Sequence, residues 1–100
     1  MVDLSLVVGF DWDAGNARKS VDRHGVTQGD AEAMFFLESL LVVDDPGHGL
    51  AEPRFHALGC IPQGLLLQAA FTLRGGGTLL RVISVRSMSR RERRIHANAT

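Results

Sequence analysis

The stretch RVISVRSMSRRERR, residues 81–94, decides the fold, because an alternating strand runs there directly into an arginine-rich helix. Side chains of a β-strand point alternately to its two faces, so the first six residues predict two distinct strand faces. One face is predicted to carry Val82, Ser84 and Arg86, and the other Arg81, Ile83 and Val85. Each face therefore combines an arginine with apolar residues.

A helix is predicted to begin near Ser89 or Arg90. Ser89 and Glu92 have the S-x-x-E spacing of a capping box, in which the hydroxyl and the carboxylate bond the first free amides of a helix. Six of the 11 basic residues lie in residues 81–94. Guanidinium groups match phosphate oxygens in geometry and stay charged at physiological pH. The segment is therefore either a polyanion-binding surface or a solvated amphipathic helix.

The composition predicts one globular domain over residues 1–100 with a single small core, since 45% of the residues are hydrophobic. The formal net charge is +0, but the charges are segregated along the chain. Residues 28–53 contain six acids and no Lys or Arg, whereas residues 79–100 contain six arginines and one acid. The chain can therefore present one acidic and one basic face.

Several classes of site and location are disfavoured by the sequence. The lone Cys60 excludes an internal disulfide and fits a reducing cytoplasm. The apolar start, Met1–Phe10, is too short to span a bilayer, which needs about 20 apolar residues, so we expect no targeting or membrane segment. The sequence has no Cys/His cluster at metal-ligand spacing, no Gly-x-x-x-x-Gly-Lys loop and no Gly-x-Ser-x-Gly elbow. We therefore expect neither a metal ion nor a nucleotide cofactor.

Hydrophobic periodicity predicts an α+β fold, in which a strand and two helices precede an antiparallel β-meander and a C-terminal helix. The first strand is predicted over Leu4–Phe10, and the two helices after the N-cap residues Asp13 and Thr27. Further strands are predicted over Leu40–Asp44, Arg54–Cys60, Leu65–Leu73 and from Arg81, with turns at Pro62-Gln63-Gly64 and Gly75-Gly76-Gly77. We expect the helices to pack on one face of the sheet. The predicted core includes Phe35, Phe36, Phe55 and Phe71.

Five motifs in this order resemble the BrnT family of bacterial toxins. They are Phe10-Asp11-Trp12-Asp13, Arg23-His24-Gly25-Val26, Glu52-x-Arg54 with Leu58-Gly59, Arg81-x-Ile83-Ser84-x-Arg86, and Ser89-x-Arg91-Glu92-Arg93-Arg94. The resemblance covers nearly the whole chain. It implies a RelE-like fold and a ribonuclease toxin that blocks translation. It also implies neutralisation by a BrnA-type antitoxin, whose ribbon-helix-helix domain binds the promoter of the operon.

The chain departs from the family pattern at four positions. The family usually has lysine at the position of Asn16, asparagine at Ser20, lysine at Arg23 and tyrosine at His96. Arg23 keeps the charge with a different geometry, whereas Asn16 gives the charge up. These departures leave two interpretations open, a ribonuclease of reduced activity or an inert member of the family.

Candidate catalytic residues follow from what RNA cleavage without a metal requires. The 2′-hydroxyl must be activated, the extra phosphate charge stabilised and the leaving 5′-oxygen protonated. The resemblance and these requirements select His24, Glu52, Arg54, Ser84 and Arg86. His24 is the candidate for proton transfer, because the unperturbed pKa of histidine, about 6.5, lies near working pH. Arg86 is the candidate for binding phosphate, and Ser84 shares its strand face.

Candidate RNA-binding residues are Trp12, Lys19, Arg23, Arg81 and Arg90. Lys19 and Arg23 lie one helical turn apart and either clamp an RNA backbone or form a solvated stripe. Trp12 either stacks on a base or fills the core at a strand-to-helix junction. On another strand, Glu52, Arg54 and His56 share one face and form either a phosphate site or a surface salt bridge.

We therefore expect a cytoplasmic, metal-independent endoribonuclease toxin of a type II toxin-antitoxin system. The expected partners are a BrnA-type ribbon-helix-helix antitoxin and an RNA substrate. Promoter DNA is expected only through the antitoxin complex, and a membrane partner is not expected. The alternative is a catalytically weak or inert protein that binds the antitoxin as a corepressor, which Asn16 in place of lysine favours.

Overall fold

The computed structural model describes residues 4–12, 26–37, 39–45 and 54–99. In this part of the chain, five strands form one mixed sheet in the order β1-β5-β4-β3-β2. The strands are β1 (Gly9–Phe10), β2 (Leu41–Asp45), β3 (Arg54–Cys60), β4 (Leu66–Arg74) and β5 (Leu79–Ser87). The helices are α1 (Gln28–Met34) and α2 (Arg90–Ala99). The predicted α+β class is thereby confirmed.

Strands β2 to β5 form the predicted antiparallel meander. The predicted bounds of β3 are those observed, and the bounds of β2 and β4 differ by one residue at each end. Strand β1 is parallel to β5 and has only two residues, because the segment before it turns, with Val7 N–H donating to Leu4 C=O at 3.1 Å. The longer first strand was therefore a wrong prediction. The helix predicted after Asp13 lies outside the described residues.

The two predicted hairpin turns connect β3 to β4 and β4 to β5. In the second turn, Gly75, Gly76 and Gly77 have φ angles of 63°, 69° and 94°, a region that disfavours any side chain. A Cβ atom on Gly75 would also lie 2.8 Å from the Thr78 hydroxyl oxygen. Glycine at these positions therefore fixes where the chain reverses, and hence the register of β5 against β4.

The hydrophobic core lies between α1 and one face of the sheet, here called the core face. Its strand residues are Ala57, Leu67, Ala69, Phe71, Leu80, Val82 and Val85. Helix α1 covers this face with Ala31 and Met34, both 0% exposed, and begins at the predicted N-cap, where Thr27 Oγ1 accepts from Asp30 N–H at 3.0 Å. The predicted core position of Phe36 is wrong, because α1 ends at Met34 and the Phe36 ring is left 79% exposed.

A β-bulge at Ile83 changes which residues of β5 share a face. Val82 lies opposite Phe71 and Ser84 lies opposite the next residue, Ala70, so Ile83 is an extra residue without a partner in the register. Val82 and Val85 consequently both lie in the core. The predicted common face of Ser84 and Arg86 is confirmed, but the predicted faces of Val82 and Arg81 are wrong, because Arg81 lies with Ser84 and Arg86, and Val82 lies on the opposite face.

Helix α2 lies on the other side of the sheet from α1. Glu92 and His96 are its half-buried residues, one turn apart, and the rest of the described helix is exposed. Glu92 bonds Arg86, which points away from the core face, and α2 also contacts β3. The expectation that all helices pack on one face is therefore wrong for α2. No helix in the described part of the chain is long and apolar enough to cross a membrane.

Candidate functional site

The face of the sheet opposite the core carries a group of cationic and polar side chains, and we call it the arginine face. Its residues are Arg54, His56 and Leu58 on β3, Gln68, Ala70, Thr72 and Arg74 on β4, and Arg81, Ser84 and Arg86 on β5. Strand register sets their neighbours. His56 and Ser84 flank Ala70, whereas Arg81 lies beside Thr72 and Arg86 beside Gln68.

The arginine face has long side chains on β3 and β5 and shorter ones between them. Strands β3 and β5 are separated by β4, so residues such as His56 and Ser84 lie roughly 10 Å apart across the sheet. Arg54 lies at the β2 side of this space and Arg81 at the β5 side. Ala70 and Thr72 form the floor between them. Cationic side chains therefore lie on either side of the small residues of β4.

Arg86 is held by Glu92 at one end of this face. Its Nη1 donates to Glu92 Oε1 at 2.7 Å and its Nη2 donates to Glu92 Oε2 at 2.9 Å. Arg86 Nη1 also donates to Ser87 C=O at 3.0 Å. The Arg86 side chain is 41% exposed and that of Glu92 is 15% exposed. The geometry is that of a two-bond guanidinium-carboxylate pair, the strongest common form of ion pair.

Glu92 also completes the predicted capping box of α2. Ser89 N–H donates to Glu92 Oε1 at 2.8 Å, and Glu92 N–H donates to Ser89 Oγ at 3.2 Å. Burial raises the pKa of Glu92, but hydrogen bonds from Arg86 and Ser89 outweigh it, and the pKa lies below its ordinary value. One ionised carboxylate thus connects β5 to the start of α2.

Two other candidate residues have carboxylate partners. Arg81 Nη1 lies 3.3 Å from Asp11 Oδ2, which follows β1 directly. Trp12 packs against the hydrophobic core, and its Nε1 donates to Glu32 Oε2 on α1 at 2.8 Å. These contacts favour Trp12 as a core residue. Base stacking by Trp12 stays a prediction.

Two buried polar atoms of this region form no hydrogen bond in the described structure, Gln68 Oε1 and His96 Nε2. Gln68 is 2% exposed and lies beside Arg86 on the arginine face. His96 shares the half-buried side of α2 with Glu92. A buried polar atom without a hydrogen-bond partner destabilises the fold. Gln68 Oε1 and His96 Nε2 therefore favour the binding of a polar group at the end of the arginine face where Arg86 lies.

The structure brings together one part of the predicted site. Arg54, Ser84 and Arg86 share the arginine face with Arg81, whereas Arg90 is exposed at the start of α2. The remaining candidates lie outside the described residues, namely Lys19, Arg23, His24 and Glu52, as do the family departures Asn16 and Ser20. Their predicted roles stay predictions.

Sequence reasoning missed Glu92 as a member of the site. The S-x-x-E pattern identified it as a capping residue, but its bond to Arg86 depends on the angle between β5 and α2.

Within the described residues, no group of three or more His, Cys, Asp or Glu side chains could hold a metal ion.

A family profile described as "Ribonuclease toxin, BrnT, of type II toxin-antitoxin system" matches residues 12–92. The matched segment includes all the residues of the arginine face. The chain belongs to this family. The BrnT family is described as ribonuclease toxins of type II toxin-antitoxin systems, and such a system implies an antitoxin partner.

The crystal structure of the ribonuclease toxin BrnT of Brucella abortus, determined at 1.1 Å resolution, has the same fold. The TM-score is 0.62 at 24% sequence identity, over 82% of this chain and 97% of the Brucella chain. No curated protein matches the chain. At this identity, the likeness to the Brucella protein concerns the fold.

Proposed function

We propose that this BrnT family member is an endoribonuclease that cleaves RNA on the arginine face without a metal ion and thereby inhibits translation. The observation that carries the proposal is the common face of Arg54, Arg81, Ser84 and Arg86, which come from two strands on either side of β4. In a regular β5, Arg81 and Arg86 would lie on opposite faces, and the bulge at Ile83 is what unites them.

The chemical roles follow from the side chains. The guanidinium groups of Arg54, Arg81 and Arg86 stabilise the extra negative charge of the phosphate in the transition state. Ser84 supplies a hydrogen bond to the same group. His24 and Glu52 serve proton transfer to and from the ribose and the leaving oxygen. The positive charge of the arginines on this face disfavours a divalent cation there, which supports a mechanism that needs no metal.

We further propose that residues 1–100 form one RelE-like domain that acts in the cytoplasm. The helix-and-sheet arrangement and the match to the Brucella fold support a single α+β domain. RNA-binding roles are proposed for Lys19, Arg23, Arg81 and Arg90. Of these, Arg90 is the exposed first residue of α2. The helix therefore adds positive charge beside the arginine face, where an RNA backbone would run.

The antitoxin partner is proposed to be of the BrnA type, with a ribbon-helix-helix domain that contacts promoter DNA. An acidic or amphipathic antitoxin segment would mask the basic surface of residues 81–94 through charge complementarity. We expect the arginines of this segment to be buried or paired in the complex. A crystal structure of the complex in which all of them stay solvent-exposed would contradict this.

A second candidate function is that of an antitoxin-binding corepressor with little catalytic activity. Asn16, at a position where the family usually has lysine, favours it, because a neutral amide binds phosphate about half as strongly as a charged donor. Both functions include binding to the antitoxin. They differ in whether the free protein cleaves RNA.

Inducible expression in bacteria tests the proposal. The protein alone should stop growth, and the adjacent reading frame should restore it when the two are expressed together. Total RNA from arrested cells should show new 5′ ends, and purified protein should cleave the same RNA in the presence of EDTA. Unchanged growth together with intact RNA would contradict the ribonuclease function and favour the corepressor.

A further inference from the structure

The hydrogen bonds of Arg86 leave one edge of its guanidinium group available. Each Nη atom carries two N–H donors. The two of Nη1 go to Glu92 Oε1 and to Ser87 C=O, and one of Nη2 goes to Glu92 Oε2. The Nε–H and the second Nη2–H have no partner among the described residues, and they point in parallel from the same edge of the planar group. The side chain is 41% exposed, so this edge can meet a ligand.

We propose that Glu92 is a positioning residue of the ribonuclease site, which holds Arg86 by one edge so that the other edge presents two parallel donors to an RNA phosphate. This inference rests on the proposed function. Glu92 is suited to the task because it is itself fixed, by Ser89 N–H at 2.8 Å and by its position in the first turn of α2. A pre-oriented arginine loses less conformational freedom when RNA binds.

The opposite interpretation is that Glu92 competes with phosphate for Arg86. In that case, release of Glu92 would speed cleavage. The bond pattern disfavours this, since the carboxylate occupies the end of the guanidinium group and leaves its side edge open.

Two variants separate the positioning of Arg86 from the capping of α2. In Glu92→Gln, the amide oxygen still accepts from Ser89 N–H and Arg86 Nη1, but the amide N–H₂ faces the Nη2 donor, so Arg86 loses its second bond. In Ser89→Ala, the hydroxyl that accepts from Glu92 N–H is removed, while the Arg86–Glu92 pair stays.

Glu92→Gln should lower the single-turnover cleavage rate of a short RNA oligonucleotide about tenfold, since misplaced catalytic groups carry large penalties. Ser89→Ala should change this rate by less than about twofold, because it removes only a helix cap.

A double-mutant cycle tells positioning from a purely structural role. Arg86→Lys removes the planar pair of donors, so Glu92→Gln should cause no further loss of rate in the Arg86→Lys background. Additive losses, or faster cleavage by Glu92→Gln alone, would overturn the proposal.

The orientation of the Arg86 side chain can also be measured without RNA cleavage. The ¹⁵N NMR resonance of the Arg86 Nη2–H that bonds Glu92 should be sharp and protected from exchange in the wild type and in Ser89→Ala. It should broaden in Glu92→Gln. If the wild type cleaves no RNA, the ribonuclease function fails, and the NMR comparison alone decides whether Glu92 positions Arg86. An unchanged Arg86 resonance in Glu92→Gln would refute that positioning.

Discussion

At the scale of single residues, Ile83 determines the composition of the candidate site. Arg81 and Arg86 are five residues apart and would face opposite sides of a regular strand, so the bulge at Ile83 is required to unite them. The sequence did not predict the bulge, because Ile83 is a β-branched residue that fits a regular strand as well. The sequence did predict that the candidate site contains arginines, because binding a phosphate requires cationic side chains whatever their arrangement.

Burial also separates aromatic residues that look equivalent in the sequence. Phe71 is 0% exposed, and its ring lies 5.2 Å from that of Phe35, centroid to centroid, whereas Phe36 is 79% exposed. We predict that Phe71→Ala lowers the free energy of unfolding by about 3 to 5 kcal/mol through lost burial and a cavity. Phe36→Ala should cost less than about 1 kcal/mol. Urea unfolding of both variants measures the difference, and equal losses would contradict the described core.

Asn16 offers a test of the predicted helix face that carries Lys19 and Arg23. If the lysine usual at this position binds phosphate, Asn16→Lys restores a charged donor and should raise RNA cleavage several-fold at low salt, where phosphate contacts contribute most. The comparison needs one RNA substrate and two salt concentrations, with Lys19→Ala as the matched variant. If Asn16→Lys is no faster and Lys19→Ala is silent, this helix face has no part in catalysis.

At the scale of secondary structure elements, the sequence predicted the turns, the helix caps and the strand alternation, because each of these depends on residues that are neighbours along the chain. The glycines of the β4–β5 turn, the capping residues Thr27 and Ser89, and the alternation of β3 all lie where the sequence indicated. The side of the sheet on which α2 lies was not predictable. Helix α2 has no buried residues, so hydrophobic periodicity carries no information about its packing, and polar bonds of Glu92 define its contact with β5.

The lowered pKa of Glu92 predicts how the attachment of α2 depends on pH. A carboxylate whose pKa is lower in the folded than in the unfolded state stabilises the fold above its unfolded pKa, about 4.3. This contribution is lost as the pH falls through the lower, folded value. The wild type should therefore be more stable than Glu92→Gln at neutral pH, by an amount that shrinks as the pH falls below about 4.3.

Chemical denaturation of the two proteins between neutral and acidic pH measures this difference. Ser89→Ala is the control, since it keeps the carboxylate and removes only the smallest of the interactions that lower the pKa of Glu92, so its pH dependence should stay close to that of the wild type. A stability difference between the wild type and Glu92→Gln that is constant over the whole range would contradict the ionised pair.

At the scale of the whole molecule, the sheet separates an apolar side from a cationic side. One face is covered by α1 and holds the core, and the other carries Arg54, Arg81 and Arg86 beside the exposed arginines of α2. The formal net charge of +0 conceals this asymmetry. The sequence predicted the segregation of charge along the chain. Only the structure of the sheet, with β4 between β3 and β5, shows which arginines share a face.

RNA cleavage by Arg86→Ala tests the central claim, that the arginine face is the ribonuclease site, most directly. The measurement is the single-turnover cleavage rate of one RNA oligonucleotide, in EDTA, by purified proteins whose fold is verified by circular dichroism. Arg91→Ala is the control, since Arg91 is an exposed arginine of α2 that does not belong to the arginine face.

Loss of a charge-assisted phosphate contact should cost about 2 to 3 kcal/mol of transition-state stabilisation, so folded Arg86→Ala should cleave on the order of a hundredfold more slowly than the wild type. Arg91→Ala should keep nearly the full rate at saturating RNA. Folded Arg86→Ala that cleaves RNA at the wild-type rate would contradict the assignment of the arginine face.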